Sequence, residues 1–114
     1  MPNSEIDLTT FDELKQMSGA DFINELVDTF LEDAPKLIDQ LKTALAAKET
    51  DSFRRAAHSL KSNAATFGAR RLSELAKELE MLGKEGKLAD TGDRLHALEQ
   101  AYQAAASELK GLRA

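Results

Sequence analysis

Apolar side chains recur every three or four positions along almost the whole of this chain, which is the spacing of one face of an α-helix. No stretch alternates with the two-residue period of a strand over any length. The stripes comprise Phe22, Ile23, Leu26, Val27 and Phe30, then Leu72, Leu75, Leu79 and Leu82, then Leu95, Leu98, Tyr102, Ala106 and Leu109. The pattern predicts an all-α fold: an antiparallel up-down-up-down four-helix bundle with a short extra N-terminal helix.

Local signals predict where the helices begin and break. Thr10 and Glu13 have the spacing of a capping box, which predicts the start of the first short helix. Pro35 removes a backbone donor inside the second helix, so we expect a kink or a restart there. Asp51 is the predicted N-cap of the third helix, and the last helix is expected to begin at about Asp90.

Length and composition narrow the function classes. The chain has 114 residues, which fits a single domain over 1–114 with a core over 8–112. With 15 Lys and Arg against 20 Asp and Glu, it has no excess of cations for general nucleic-acid binding. It lacks cysteine, an apolar run long enough to span a membrane and, at Met1–Glu5, the pattern of a signal peptide. We therefore expect a cytoplasmic protein. No large exposed apolar face is obvious in the pattern, so we expect a monomer, and we leave open whether it stands alone or is cut from a larger protein.

His58 is the residue whose surroundings point to chemistry. The third helix has its apolar stripe along Phe53, Ala56, Ala57, Leu60, Ala64 and Phe67. At about 100° per residue, the imidazole of His58 points about 140° away from that stripe. It shares its outward face with Arg54, Lys61, Ser62 and Ala65. An exposed histidine among cations and small side chains is typical of an anion-handling or phosphorylatable site.

The neighbours of His58 supply what a phosphohistidine needs. Lys61 lies one turn onward and Arg54 one turn back, where both can attract a phosphoryl group and offset its charge. Ser62 and Ala65 are small enough to leave the ring open to a partner. A neutral ring nitrogen can then act as the nucleophile. The alternative interpretation is a tolerated surface histidine with no role.

The second histidine, His96, serves as a comparison. Its neighbours include Asp93 and Glu99, which would repel a phosphoryl group, so we interpret it as a solvent-exposed residue. A di-iron bundle would need Glu three residues before each histidine, but Arg55 and Asp93 stand there. We therefore predict no metal site.

A wider pattern carries a resemblance to a known family. It consists of His58-Ser-Leu-Lys61-Ser62, Gly68 ten residues after the histidine, Leu72-Ser-Glu-Leu75, Leu79-Glu80, and Leu31-Glu-Asp-Ala-Pro35 in the second helix. The chain resembles the histidine phosphotransfer (HPt) domain family from about Leu8 to Leu109. The spacing of the histidine, the lysine at +3, the small residue at +4 and the glycine at +10 makes the match fairly specific.

The resemblance implies roles for individual residues. His58 would accept the phosphoryl group on Nε2, and Lys61 would support that group. Ser62 replaces the glycine most common at its position, and Gly68 would let the third helix turn sharply into the fourth. Glu80 stands where many members have Gln and would hold Nδ1 of the ring.

Lys84, one turn beyond Glu80 on the same face, would add positive charge for docking, or is simply solvated.

The resemblance implies a phosphorelay carrier that shuttles a phosphoryl group between receiver-domain aspartates. Its partners would be receiver domains of response regulators, a hybrid sensor histidine kinase, or both. No phosphate-binding loop is present, so we expect a carrier rather than an enzyme, without a cofactor of its own and with Mg²⁺ only on the receiver. The alternative is a structural or adaptor bundle that is never phosphorylated.

Overall fold

A computed structural model describes residues 5–112, and within that range the chain is all-helical. The helices are α1 (Leu8–Ser18), α2 (Ala20–Ala47), α3 (Thr50–Thr66), α4 (Arg70–Lys84) and α5 (Arg94–Leu112), with one 3₁₀ turn at Leu88–Asp90 between the last two. The all-α prediction is confirmed. The ends of the predicted domain, and most of the N-terminal stretch considered for a signal peptide, lie outside the described residues.

The helices form a bundle around one apolar core. α3 packs against α2 and α4, α5 packs against α4 and α2, and α1 packs on α2 and α3. The largest fully buried apolar side chains come from every helix and from the segment before α1: Ile6, Phe11, Ile23, Val27, Leu41, Phe53, Leu60, Leu72, Leu79, Leu98 and Leu109. Phe22, predicted on the inner face of α2, is instead 51% exposed, because the buried stripe is centred on Ile23 and Val27.

Two predicted helix starts are wrong, for a shared reason. Asp7, not Thr10, caps α1: its Oδ1 accepts hydrogen bonds from the amides of Thr9 (3.0 Å) and Thr10 (3.4 Å). α3 begins at Thr50 after Glu49, so Asp51 lies inside its first turn. In both places several polar residues follow one another, and local sequence does not decide which one ends up outside the helix.

The start of α5 is also later than predicted. The 3₁₀ turn and Gly92, with φ of +53°, occupy the segment where the helix was expected, and α5 begins at Arg94. The buried face of this helix is nevertheless the predicted one.

Pro35 does not restart α2, which is assigned as one helix from Ala20 to Ala47. Proline has no amide hydrogen, so the carbonyl of Leu31, four residues earlier, loses its helical partner. The hydroxyl of Tyr102 on α5 donates a hydrogen bond to that carbonyl at 3.4 Å. A neighbouring helix therefore satisfies the acceptor that the proline leaves open.

Two glycines bring backbones together next to α3. Gly68, between α3 and α4, has φ of +76°, and its carbonyl accepts a hydrogen bond of 2.8 Å from the amide of Asp7. A Cβ at Gly68 would lie 3.0 Å from atoms of Asp7 and Thr10. Gly83 on α4 is buried, and a Cβ there would lie 3.0–3.1 Å from Arg54 of α3, including its backbone N and Cα. α3 and α4 therefore pass each other closely, one helical turn from His58.

Candidate functional site

His58 lies in the middle of α3 with its side chain 56% exposed. The buried face of the helix, which includes Ala57 and Leu60, packs into the core and turns the imidazole outward. The structure thus places the ring on the face that the apolar stripe predicts.

Glu80 of α4 holds one nitrogen of the ring. Its Oε2 lies 2.7 Å from Nδ1 of His58, across the contact between the two helices. The Glu80 side chain is only 17% exposed, so the carboxylate lies in the groove between α3 and α4 rather than in bulk water.

Lys61 binds the same carboxylate. Its Nζ donates to Oε1 of Glu80 at 2.6 Å, and its side chain is 29% exposed. Lys61 is therefore less exposed than its place on the helical wheel suggests, because it folds towards α4. One carboxylate thus joins the histidine and the lysine, using a different oxygen for each.

This contact keeps Glu80 ionised. The hydrogen bond from Lys61 lowers the pKa of the Glu80 carboxyl; burial opposes that effect, and the hydrogen bond with His58 adds to it. The net direction is downward from the usual value. An ionised carboxylate can only accept hydrogen bonds, so Nδ1 of the ring must be the donor.

The arrangement fixes the tautomer of the neutral ring. With the proton on Nδ1 and Glu80 accepting it, Nε2 carries the lone pair. Nε2 makes no hydrogen bond to any residue in the described part of the chain. The chemically available nitrogen of His58 is therefore the one on its outer side.

Arg54, the second cation predicted near the ring, is bound to a carboxylate on its own helix. Arg54 donates through Nη2 to Oδ1 of Asp51 at 2.8 Å, and Arg55 binds the other oxygen of that carboxylate. The hydrogen bond from Arg54 lowers the pKa of the Asp51 carboxyl against the opposing effect of burial. The positive charge of Arg54 is therefore partly offset by Asp51, the residue predicted to cap α3.

Ser62 and Ala65 are both exposed and lie beyond the ring on the outer face of α3. Lys84 is exposed as well, and within residues 5–112 it makes no ion pair. Gly68 is buried at the end of α3, in the turn rather than on the open surface. The surface beside His58 thus has small side chains on α3 and a solvated cation on α4.

Two contributors were missed by sequence reasoning. Ser73 of α4 donates its hydroxyl to the carbonyl of Lys61 at 3.1 Å, which ties the helices together one turn from the ring. Gly83 allows the close approach described above. A signal was available, because Ala76 and Gly83 place small residues seven apart on the buried face of α4.

The remaining predictions concern His96, metal binding and membrane-spanning helices. His96 is exposed on α5, and no hydrogen bond joins it to the described residues of the site. Among residues 5–112, no cluster of three or more histidine and carboxylate side chains is placed to hold a metal ion. None of the helices in that range has the length and apolarity needed to cross a bilayer.

Comparison with protein families matches residues 25–108 to the Hpt domain. Among curated relatives, the chain is 33% identical over 96 residues to the phosphorelay protein LuxU of Vibrio vulnificus (strain YJ016), covering 78% of this chain and 84% of LuxU. It is 31% identical over 78 residues to the sensor protein TorS of Escherichia coli (strain K12), covering 68% of this chain but 8% of TorS.

Comparison with solved structures also finds histidine phosphotransfer proteins. Histidine-containing phosphotransfer protein B (HptB) from Pseudomonas aeruginosa PAO1 superposes with a TM-score of 0.91 at 26% identity, covering 97% of this chain and 96% of HptB. The HPT domain of a sensor hybrid histidine kinase from Shewanella superposes with a TM-score of 0.74 at 19% identity, covering 93% of this chain and 95% of that domain. The second likeness shows the shared fold.

Proposed function

This chain belongs to the histidine phosphotransfer (Hpt) domain family and acts in phosphoryl transfer within a two-component phosphorelay, and we propose that His58 carries the phosphoryl group. The observation that supports His58 is its ring geometry. Nδ1 lies 2.7 Å from the Glu80 carboxylate, while the other nitrogen faces outward on an exposed side chain. Among residues 5–112, no carboxylate makes such a contact with His96.

On this proposal, Nε2 of His58 attacks the phosphorus of an aspartyl phosphate on a receiver domain. The lone pair is available because Glu80 holds the only proton of the neutral ring on Nδ1. This attack forms a P–N bond and releases the receiver aspartate. A second receiver aspartate can later break the P–N bond and take the phosphoryl group. The protein then shuttles a phosphoryl group between receivers. This role fits its similarity to LuxU, which is named a phosphorelay protein, and to HptB, which is named a histidine-containing phosphotransfer protein.

The cations and small residues near the ring receive supporting roles. Lys61 neutralises the phosphoryl oxygens by turning from Glu80 towards them, and Arg54 adds charge from one turn back. Ser62 and Ala65 leave room for the receiver to approach, and Lys84 contributes to docking. Gly68 maintains the turn that places α4 against α3.

The rest of the proposal follows the expectations from sequence. The bundle has antiparallel up-down-up-down order, which the two- and three-residue connections on either side of α3 and the return of α5 onto α2 support. The protein works in the cytoplasm as a monomeric carrier. It neither binds ATP nor phosphorylates itself, and it has no cofactor, because Mg²⁺ belongs to the receiver. Its partners are receiver domains, in response regulators or in a hybrid sensor kinase.

The experiment is transfer from a receiver domain that carries a radiolabelled aspartyl phosphate. We expect the chain to acquire a label that is stable in base and lost in acid, the behaviour of a phosphohistidine. His58→Gln is expected to acquire none, with its helical circular dichroism unchanged because the side chain is exposed.

His96→Gln is the matched control, since it removes the other histidine from an exposed helical position and should label like the parent. A label that survives in His58→Gln would contradict the assignment. A parent chain that takes no label from any receiver of its own organism would favour an adaptor bundle instead.

A further inference from the structure

We infer that Glu80 is a positioning residue that acts through its charge: it keeps the Nδ1 proton on the His58 ring while Nε2 carries the phosphoryl group, so that the ring remains a good leaving group. The inference rests on the proposed function of His58. It concerns a different step, the departure of the phosphoryl group, and gives the Glu80 carboxylate a role that a neutral amide at the same position cannot fill.

The electron count of the inward step shows why charge matters. The Nε2 lone pair forms the P–N bond, the P–O bond to the receiver aspartate breaks, and its electron pair stays on that carboxylate. The ring now has a proton on Nδ1 and a phosphoryl group on Nε2, and is therefore cationic. A carboxylate beside Nδ1 stabilises the imidazolium that forms, as the aspartate of a Ser-His-Asp triad does.

The outward step has the opposite requirement. A receiver carboxylate attacks phosphorus, the P–N bond breaks, and the electron pair returns to Nε2. If Nδ1 still holds its proton, the ring leaves as a neutral imidazole. If that proton has been lost to solvent, the ring must leave as an anion, which is a much poorer leaving group. No proton needs to move in either direction as long as Nδ1 stays protonated.

The geometry suits this role. Oε2 of Glu80 lies 2.7 Å from Nδ1, and the carboxylate is only 17% exposed, so its charge is screened less than that of a surface glutamate. Lys61 uses the other oxygen at 2.6 Å and helps to keep Glu80 ionised. When Lys61 turns to the phosphoryl oxygens, the full charge of Glu80 acts on the ring.

The other charged groups around the ring are placed differently. On α3, Arg54 is bound to Asp51. On α4, Lys77 and Lys84 are exposed to solvent on either side of Glu80. On α2, Asp33 and Lys36 face Ser59 and Asn63, in the groove on the other side of α3. Asp7, which caps α1, meets Gly68 just beyond the C-terminal end of α3 and is bound to Arg70. Glu80 is thus the one carboxylate, among the described residues, with a hydrogen bond to the ring.

The test measures how the loss of the phosphoryl group depends on pH. The purified full chain is phosphorylated with phosphoramidate, a small-molecule donor, and the decay of the phosphohistidine is followed by phosphorus NMR from mildly acidic to alkaline pH. The decay rate should fall as the pH rises, because the ring loses its Nδ1 proton and becomes a poorer leaving group. In Glu80→Gln we expect this fall to occur about one pH unit lower than in the parent. On the alkaline side of that fall, the variant then keeps its phosphoryl group about tenfold longer.

Glu78→Gln is the matched control, because it removes the same charge from α4 at an exposed position that pairs with Arg94. Its profile should coincide with that of the parent. Glu80→Asp keeps the charge and should stay closer to the parent than Glu80→Gln does. Circular dichroism confirms that each variant is folded.

The outcomes separate the two proposals. Coincident profiles for the parent and Glu80→Gln, or equal shifts in Glu80→Gln and Glu80→Asp, would overturn the role of charge while leaving His58 as the acceptor. A folded Glu80→Gln that takes up no phosphoryl group at all would also overturn it, since an amide oxygen can still accept the Nδ1 hydrogen during attack. If neither the parent nor any of the variants forms phosphohistidine, the proposed function itself fails.

Discussion

At the scale of single residues, Gly68 combines two demands that only glycine meets. Its φ of +76° lies in the left-handed region, which residues with a Cβ avoid. A Cβ would also lie 3.0 Å from Asp7 and Thr10, where the segment before α1 crosses the end of α3. Backbone strain and steric overlap therefore act at the same position.

Gly86 separates these two effects, and so makes a prediction about Gly68 testable. Gly86 has φ of +70°, but a Cβ there meets no atom within 4 Å. We expect Gly86→Ala to lower the free energy of unfolding by about 1 kcal/mol, from strain alone. Gly68→Ala should lower it by about 2–4 kcal/mol, because overlap adds to strain. Urea denaturation measures both, and equal losses would show that the contact with Asp7 and Thr10 relaxes freely.

How much of the site could be predicted depends on which interactions are local. The outward direction of His58 follows from helical periodicity, and the helix repeat also brings Lys61 to its face. The sequence match suggested Glu80 as a partner, but the contact itself depends on how closely α3 and α4 approach. The pairing of Arg54 with Asp51 was missed because Asp51 was assigned to a cap.

At the scale of elements, α2 tolerates Pro35 because α5 supplies a substitute donor. The carbonyl of Leu31 has lost its amide partner, and the Tyr102 hydroxyl lies 3.4 Å from it. Tyr102 is mostly buried, and burial raises the pKa of its hydroxyl, which therefore stays a donor through the neutral pH range. The proline and the tyrosine are thus expected to be coupled energetically.

A double-mutant cycle tests that coupling. Tyr102→Phe should cost about 0.5–1.5 kcal/mol of unfolding free energy in the parent chain, since it removes a hydrogen bond to a partly buried carbonyl. In a chain that already carries Pro35→Ala the cost should be smaller, because the new amide can donate to Leu31. Thermal or urea denaturation of the four proteins gives the coupling energy. Additive costs would mean that the hydroxyl does not replace the missing amide.

The presence of each helix could be predicted from the sequence, but the residues at which the helices begin could not. Amphipathic spacing is a property of each segment alone, so it located every helix of the bundle. The start of α1 at Leu8 instead depends on a tertiary contact, because the amide of Asp7 is fixed by the carbonyl of Gly68. Thr10 has the right spacing for a capping box, but that contact places it within the first turn.

At the scale of the whole molecule, the segment before α1 is fastened to the far end of the chain and to the turn between α3 and α4. The amide of Glu5 donates to the carboxylate of Glu108 on α5, and the Glu5 side chain lies 3.7 Å from Arg71. The Asp7 carboxylate binds Arg70. Acidic and basic side chains therefore join the N-terminal segment to α4 and α5.

Asp7 should make the stability of this arrangement depend on pH. Partial burial would raise the pKa of its carboxyl, but the amide of Thr10, the charge of Arg70 and the amide of Thr9 together bring the pKa below its ordinary value of 3.8. A carboxyl with a lowered pKa in the folded state stabilises the protein above the ordinary value, and this contribution is lost as the pH falls through the folded-state pKa.

The variant Asp7→Asn should show this loss directly. Asn still caps a helix, but it does not titrate or pair with Arg70. We expect the melting temperature of the variant to lie below that of the parent near neutral pH, and the two to converge as the pH falls below the ordinary carboxyl value of 3.8. Asp12→Asn, at an exposed position on α1, is the control and should run parallel to the parent. A constant difference between parent and Asp7→Asn at every pH would contradict the role of the charge.

On the proposed function, the close passage of α3 and α4 at Gly83 determines how a partner meets the His58 ring. His58 and Glu80 are held to each other by two helix backbones in contact, not by loops, so the reactive nitrogen has a fixed position before any encounter. Adjustment during docking is then left to the incoming protein. If His58 carries the phosphoryl group as proposed, a fixed target of this kind lets unlike partners use the same nitrogen in turn, because none of them has to reshape it first.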